Sequence, residues 1–369
     1  MADALRVAYR RWLVGIAVRD LSGLAGMESV AAWLSDLADA TLEAALAIAR
    51  HEVGESAFTC RLAIIGMGKC GGRELNYISD VDVIFVAEAA DGCDESDALR
   101  AASLLAAGLM RVCSEVTAEG SIWEVDAALR PEGKQGALVR TLPSHLGYYE
   151  RWASTWEFQA LLKARFCAGD ADLGTRYMDA ISPMVWKAAD RPDFVADVQS
   201  MRKRVEDHIP ADIAEREIKL GPGGLRDVEF SVQLLQLVHG RGDVMLRSAT
   251  TLVALEALAT WGYVGRGDAA YNCVDCDEHT RFPKMTRSYG FSRVPSGCEV
   301  NRFANSSTNG NHTSVKFVAC TRNSSTGRCW PPSRAWKPEK HDCPFRRLKS
   351  DLRLSGIPTQ PGPFATCRR

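Results

Sequence analysis

Residues 62–86 read LAIIGMGKCGGRELNYISDVDVIFV, and two carboxylates, Asp80 and Asp82, open the second of two β-type runs in it. Strand side chains alternate with a period of two, so Asp80 and Asp82 point to one face. Two carboxylates side by side repel each other unless a cation lies between them. Hard oxygen ligands of this kind suit Mg²⁺, with Mn²⁺ as the alternative. Ahead of them Gly66, Gly68, Gly71 and Gly72 surround Lys69. Such glycines let a backbone approach a phosphate closely, and a helix starting there points its N–H groups at it. A phosphate cradle beside a metal-binding carboxylate pair points to nucleotidyl or phosphoryl transfer.

An Asp-x-Asp alone also describes a solvated strand end, so the glycines carry the distinction. They do not form a Walker loop, because no Gly-Lys-Ser/Thr ends the run. They do not form a dinucleotide fingerprint either. Gly71 supplies its third glycine, but no acid stands about twenty residues on at a strand end. Instead the carboxylates follow within about ten residues. That order resembles the nucleotidyltransferase superfamily, in which a later strand brings a third acid. Residues 121–130, SIWEVDAALR, alternate like a strand and offer Asp126, with Glu124 competing on the same face. Arg130 follows at the start of the turn Arg130-Pro131-Glu132-Gly133, either as a phosphate contact or as half of a structural ion pair. Lys69 is either a solvated loop lysine or a point charge facing a nucleotide phosphate.

Four blocks stand in one order: GMGKCGGRELNYISDVDVIF, VDAALRPEGKQGALV, YYERWASTWEFQALLKAR and IKLGPGGLRDVEFSVQLLQLVHG. Together they resemble the glutamine synthetase adenylyltransferase/adenylyl-removing enzymes over roughly residues 1–270. Members of that family carry two similar nucleotidyltransferase halves. The Lys69 loop, Arg73-Glu74-Leu75-Asn76 and Ile218-Lys219-Leu220-Gly221 are similar to the first. The resemblance implies phosphorolytic removal of AMP from the adenylylated tyrosine of glutamine synthetase, with ADP as product. It implies Asp80, Asp82 and Asp126 as metal-binding catalytic carboxylates. ATP or ADP and phosphate are then substrates or products, and glutamine synthetase and a PII-type signalling protein are the partners. Forward adenylylation from ATP is the alternative within the fold. An inactive regulatory fragment is the alternative outside it, against which the intact carboxylate set argues.

The 369 residues are enough for two or three domains with a full core. Net charge is −1 with no basic block, so nothing favours nucleic acid, and no apolar run reaches membrane-spanning length. Arg6, Arg10, Arg11 and Arg19 interrupt the N-terminal apolar residues, unlike a signal peptide. Cys60, Cys70, Cys93, Cys113 and Cys167 are scattered without ligand spacing. The first 270 residues therefore read as cytoplasmic, with reduced thiols.

The expected fold is α+β: a small nucleotidyltransferase α/β core with flanking helices and a following helical domain. Residues 1–55 form an N-terminal helical segment, with helices over 1–19 and 28–50. Residues 56–142 form the core, with strands at 62–66 and 81–87, a short helix near 70–77 and a helix from Asp97 to Thr117. A strand at 121–129 and a hairpin partner at 136–141 complete its sheet. From Pro143 to about 260 the pattern is helical, broken by Gly221-Pro222-Gly223-Gly224 before a helix near Arg226. Trp152, Trp156 and Phe158 read as core rather than a nucleobase platform. Spacing makes Glu157, Lys163 and Arg165 a solvated face, whereas their family block places them near the active site. Asp227 and Glu229 read either as hydrogen-bond partners of nucleotide or substrate or as the acids that a first helical turn favours in any case; His239 reads as structural.

Residues 271–369 differ in kind. They hold the other seven cysteines and three Asn-x-Ser/Thr sequons at Asn305, Asn311 and Asn323, and they lose all apolar periodicity. A secreted cysteine-rich module or a zinc site on Cys273-x-x-Cys276 is one reading, without a second Cys-x-x-Cys to support the zinc. The better one is a frameshifted, disordered tail. Back-translation of residues 271–286 in another frame permits a family-like helical continuation. Without that continuation, apolar surface around Leu252, Leu255 and Leu258 is expected to lie exposed.

Overall fold

The computed structural model describes residues 1–207, 209, 219–221 and 224–265. The expectations for residues 271–369, the aberrant tail, its cysteines and the protease-sensitive junction, lie outside them.

Two apolar runs dominate the sequence and make the two central strands, β1 (Cys60–Gly66) and β2 (Val81–Ala89), paired antiparallel. Both are enclosed on both faces, so alternate residues serve two different cores. Leu62, Ile64, Val83 and Phe85 face one, and Ala63, Ile65, Ile84 and Val86 face the other. The first core is closed by α1 (Ala2–Leu21), α2 (Met27–Val53) and α4 (Glu95–Ser114). Between β1 and β2 lies α3 (Gly68–Gly71), a single turn. Buried Arg6 of α1 donates to the carbonyls of Val112 (3.0 Å), Glu115 (2.5 Å) and Gly120 (2.7 Å). It thereby satisfies carbonyls that the C-terminal end of α4 leaves unpaired.

β3 (Val125–Asp126) and β4 (Val139–Thr141) both pair parallel with β2, β3 at Val81–Asp82 and β4 at Phe85–Ala87. The expected strand over 121–129 is thus only two residues long, and no hairpin joins it to 139–141. Each segment takes a separate stretch of the β2 edge, where α4 serves as the crossover a parallel pair requires. The turn between them exists, with Glu132 at φ 63° and Gly133 at φ 58°.

The second core is covered by α5 (Leu142–Arg151), α6 (Thr155–Leu161), α7 (Ala171–Trp186) and α8 (Phe194–Asp207). The helical reading of 143–260 is interrupted by a strand, β5 (Arg165–Gly169), which pairs antiparallel with β1 and completes the order β3-β2-β1-β5. α9 (Leu225–His239) and α10 (Thr251–Thr260) enclose a small cluster of their own. Leu255 and Leu258 are buried there against Val232 and Leu246, and Leu252 is half-buried, so the expected exposure around them is not found. The fold is α+β. Among the described residues no helix is long and apolar enough to cross a membrane.

Candidate functional site

β1 ends at Gly66 and the chain turns through α3 back toward β2. The turn lies directly over Asp82. Met67 N donates to Asp82 O (2.8 Å), and Gly68 sits at φ +50°, where a Cβ would come within 2.3 Å of Asp82 Oδ2. Gly71 fits as closely on the other side, since a Cβ there would lie 1.9 Å from the carbonyl oxygen of Lys163. Only glycine permits both approaches. Gly66 and Gly72 belong to the same close-packed turn, which thus seats its backbone on Asp82.

The strand pairing then assembles the acids. Val81 pairs with Val125 and Asp82 with Asp126, while Asp80 stands immediately before β2. Carboxylate oxygens of Asp80, Asp82 and Asp126 lie within 4.8 Å of one another, with Asp80 exposed and the other two half-buried. Asp126 also accepts from Ala128 N (2.7 Å), which fixes its side chain. Burial, then repulsion from Asp80 and Asp126, pushes the Asp82 carboxyl up to about 6. Three oxygen donors crowded to that degree match what a hard divalent cation takes as ligands. Glu124 is exposed and outside this group; its backbone carbonyl accepts from Val81 N (2.9 Å).

Positive charge acts on the same region. Lys69 is half-buried on the turn, and its ammonium is pushed down by burial and by Lys219, against the pull of Glu229 and Asp80. Arg226 and Lys219 in turn act on Asp82. Arg226, in the first turn of α9, thus carries a positive charge that is felt at Asp82. Its backbone N donates to Lys219 O (2.9 Å) and its guanidinium to Glu229 Oε2 (3.2 Å).

The remaining candidates fall elsewhere. Arg130 spends its guanidinium on backbone carbonyls, those of Ala127 (2.8 Å), Lys134 (3.1 Å) and Gly136 (3.1 Å), so it staples the 127–136 loop. Lys163 and Arg165 are not a solvated face. Lys163 is buried between Glu74 and Glu229, and Arg165 grips Asp39 with both terminal nitrogens (2.6 and 2.9 Å) while donating to the carbonyls of Cys70 and Gly71. Both therefore brace the glycine turn from behind. Glu157 closes the capping box of α6 with Ser154 and accepts from Tyr148 Oη (3.1 Å). Phe158 is core and Trp156 half-buried, but Trp152 is 75% exposed at the end of α5, contrary to the core expectation. Asp227 pairs with Arg202, and His239 stacks near Tyr263. Glu74, Thr251 and Asp39 carry no local sequence signal, because their partners Lys163 and Arg165 lie far away in sequence; only their coincidence with buried charge marks them.

The glutamate-ammonia ligase adenylyltransferase family model matches residues 1–180, and the GlnD PII-uridylyltransferase family model matches residues 194–277. The chain is similar to the bifunctional glutamine synthetase adenylyltransferase/adenylyl-removing enzyme of Streptomyces avermitilis, 64% identical over 279 residues, which is 76% of this chain and 28% of that protein. The protein of the same name from Mycobacterium avium is 54% identical over 296 residues, 79% of this chain and 27% of its own length. That from Mycobacterium bovis is 53% identical over 300 residues, 80% and 28% respectively. The chain therefore spans little more than a quarter of the length of these relatives.

Proposed function

The chain belongs, over about three quarters of its length, to the family of bifunctional glutamine synthetase adenylyltransferase/adenylyl-removing enzymes, and on that premise we propose that it is a nucleotidyl-transfer unit acting on glutamine synthetase. The reaction is phosphorolytic release of AMP from the adenylylated tyrosine, giving ADP. The observation that carries this reading is the group of Asp80, Asp82 and Asp126 under a glycine turn. These three carboxylates would hold Mg²⁺, or Mn²⁺, which when bound supplies charge neutralisation at a transferring phosphoryl group.

The chain's own residues do the rest. The close seat of Gly68 on Asp82 fixes where the carboxylates stand. Lys69 and Arg226 present positive charge beside them, suited to the phosphates of ADP. Phosphate attacks the adenylyl phosphorus and the tyrosine oxygen leaves. Phosphate offers lone pairs at neutral pH, so no strong general base is required. The match of residues 194–277 to a PII-uridylyltransferase family model supports a PII-type signalling protein as a second partner. The place of action is the cytoplasm.

The test is to incubate the chain with adenylylated glutamine synthetase, Mg²⁺ and inorganic phosphate and to follow ADP. ADP that appears with phosphate and is lost in Asp82→Asn is the expected result. Transfer of AMP from ATP onto unmodified glutamine synthetase, with no phosphate-driven reversal, overturns the direction. Absence of both activities overturns the reading.

A further inference from the structure

Lys163 is a buried ammonium with every donor committed. Its Nζ lies 2.5 Å from Glu74 Oε2 and 3.0 Å from Glu229 Oε1, and it donates to Thr251 Oγ1 at 2.9 Å. The side chain is 6% exposed. These partners come from three places: Glu74 follows the glycine turn, Glu229 stands in the first turns of α9, and Thr251 opens α10. Thr251 also donates to Glu74 through its backbone N and its hydroxyl, and Thr250 Oγ1 donates to Gly72 O (2.8 Å). The main chain of Lys163 touches the turn as well, through the carbonyl packed on Gly71. Taking a charge out of water costs much unless it is paired and hydrogen-bonded, and a well-packed apolar side chain can serve packing alone at least as well. A fully partnered lysine here is therefore explained by what its charge does.

Its charge acts on Glu229. That carboxylate is divided between two cations, Lys163 at one oxygen and Arg226 at the other, 3.2 Å away. We infer that Lys163 is a positioning residue: by neutralising Glu74 and Glu229 it ties α9 to the glycine turn and leaves the positive charge of Arg226 directed at the phosphates of a nucleotide held beside Asp80, Asp82 and Asp126. This rests on the nucleotidyl-transfer reading above. Lys163 itself touches no substrate. Without it, Arg226 is the one cation left within ion-pair reach of Glu229, beside the neutral donor Gln233 Nε2 (3.4 Å), and Glu229 draws that guanidinium out of the site. The direction of the electrostatic effects agrees: Lys163 and Arg226 both pull the Glu229 carboxyl down, and Arg226 acts on Asp82.

The experiment measures Mg²⁺-dependent ADP binding to the full chain by calorimetry, beside phosphorolysis. Lys163→Met weakens ADP binding by about tenfold, the scale of one charged hydrogen bond. Arg226→Met does the same. Because both act through one group, the double variant binds no more weakly than Arg226→Met alone. Lys163→Arg, which keeps the charge, stays within about threefold of the unchanged protein. Additive losses in the double variant, or a folded Lys163→Met with unchanged ADP affinity, overturn the proposal. Should Lys163→Met fail to fold, Arg226→Met decides: full ADP affinity overturns the proposal, and a tenfold loss supports it. ADP binding without phosphorolysis refutes the reaction and leaves the comparison among variants standing. No ADP binding by the unchanged chain refutes both.

Discussion

Asp82 and Asp126 are register partners across a parallel strand pair in which β3 is only two residues long. So short a ladder adds little to the sheet, but it fixes the third carboxylate beside the first two. Burial first, and then the repulsion from Asp80 and Asp126 that results, raises the Asp82 carboxyl. Asp82→Asn and Asp126→Asn each remove an anionic ligand while keeping shape, and each is expected to cost at least about a hundredfold in nucleotidyl transfer. Each also relieves like-charge repulsion, so melting of the metal-free protein in chelator should hold or rise. Glu124→Gln should leave the rate within about twofold, since Glu124 stands outside the group. A collapse of activity in Glu124→Gln with full activity in Asp126→Asn would reverse the assignment of the third acid.

Gly68→Ala meets two obstacles. The φ of +50° strains any side chain, and the new Cβ would press on Asp82 Oδ2. Strain of the first kind alone costs about 1–3 kcal/mol. Gly92, at φ +80° with open space around it, isolates that cost. Both alanine variants should melt lower in thermal unfolding, but only Gly68→Ala should also weaken Mn²⁺ binding, measured by titration. Equal Mn²⁺ affinity in the two would show that the turn does not set the carboxylate.

What could be read from the sequence divides along the range of the contacts. The glycine turn and Asp80 and Asp82 are visible because strand period and turn chemistry are local, and Asp126 follows from alternation about it. The turn at Glu132 and Gly133 was equally legible, but its flanks do not pair with each other. Both find the edge of β2, a choice made by packing α4 across the sheet rather than by the turn. β5 was hidden because Arg165 and Cys167 interrupt any apolar alternation, and it is stabilised by pairing with β1 and by Arg165 gripping Asp39. The Lys163 cluster has no local signature. Glu74 and Glu229 reach Lys163 only after folding, and in sequence each is an ordinary surface acid. Trp152 was read as core from its neighbours, yet α5 ends under it and leaves it in solvent.

Arg130 separates two roles by experiment. If it held a nucleotide phosphate, its loss would weaken ADP binding and leave stability alone. Its donors instead close the 127–136 loop through three carbonyls, of Ala127, Lys134 and Gly136. Arg130→Met should therefore lower stability by about 1–2 kcal/mol, the net scale of one or two part-buried hydrogen bonds. ADP affinity should stay within about threefold. Urea unfolding and calorimetry on the same variant check both, and an unchanged urea midpoint with lost ADP binding reverses the assignment.

His145 sets how the fold responds to acid. It lies on α5, buried against β2, with Nε2–H directed at Phe85 O (3.5 Å) and its ring edge-on to Tyr177 at 5.3 Å. Burial pushes its pKa down to about 4, which the Phe85 carbonyl opposes and Arg140 assists. In the unfolded chain a histidine titrates near 6.5. As pH falls from about 6.5 toward 4, the unfolded state takes up a proton that the folded state refuses, so the native state loses ground throughout that window. Above 6.5 both forms are neutral and the contribution is complete. The full loss at the acid end is up to about 3 kcal/mol, at about 1.4 kcal/mol per unit. Carboxylates also titrate toward pH 4, so the comparison must be made against a variant that lacks only this ring. His145→Gln fills a similar volume without titrating and should be less stable than the unchanged protein at pH 7.5. Its deficit should shrink by about 2–3 kcal/mol by pH 4.5. Urea midpoints of the two proteins across that range give the double difference. Parallel curves with a constant offset would mean that His145 is protonated in the folded state as readily as in the unfolded one, and that its burial carries no acid sensitivity.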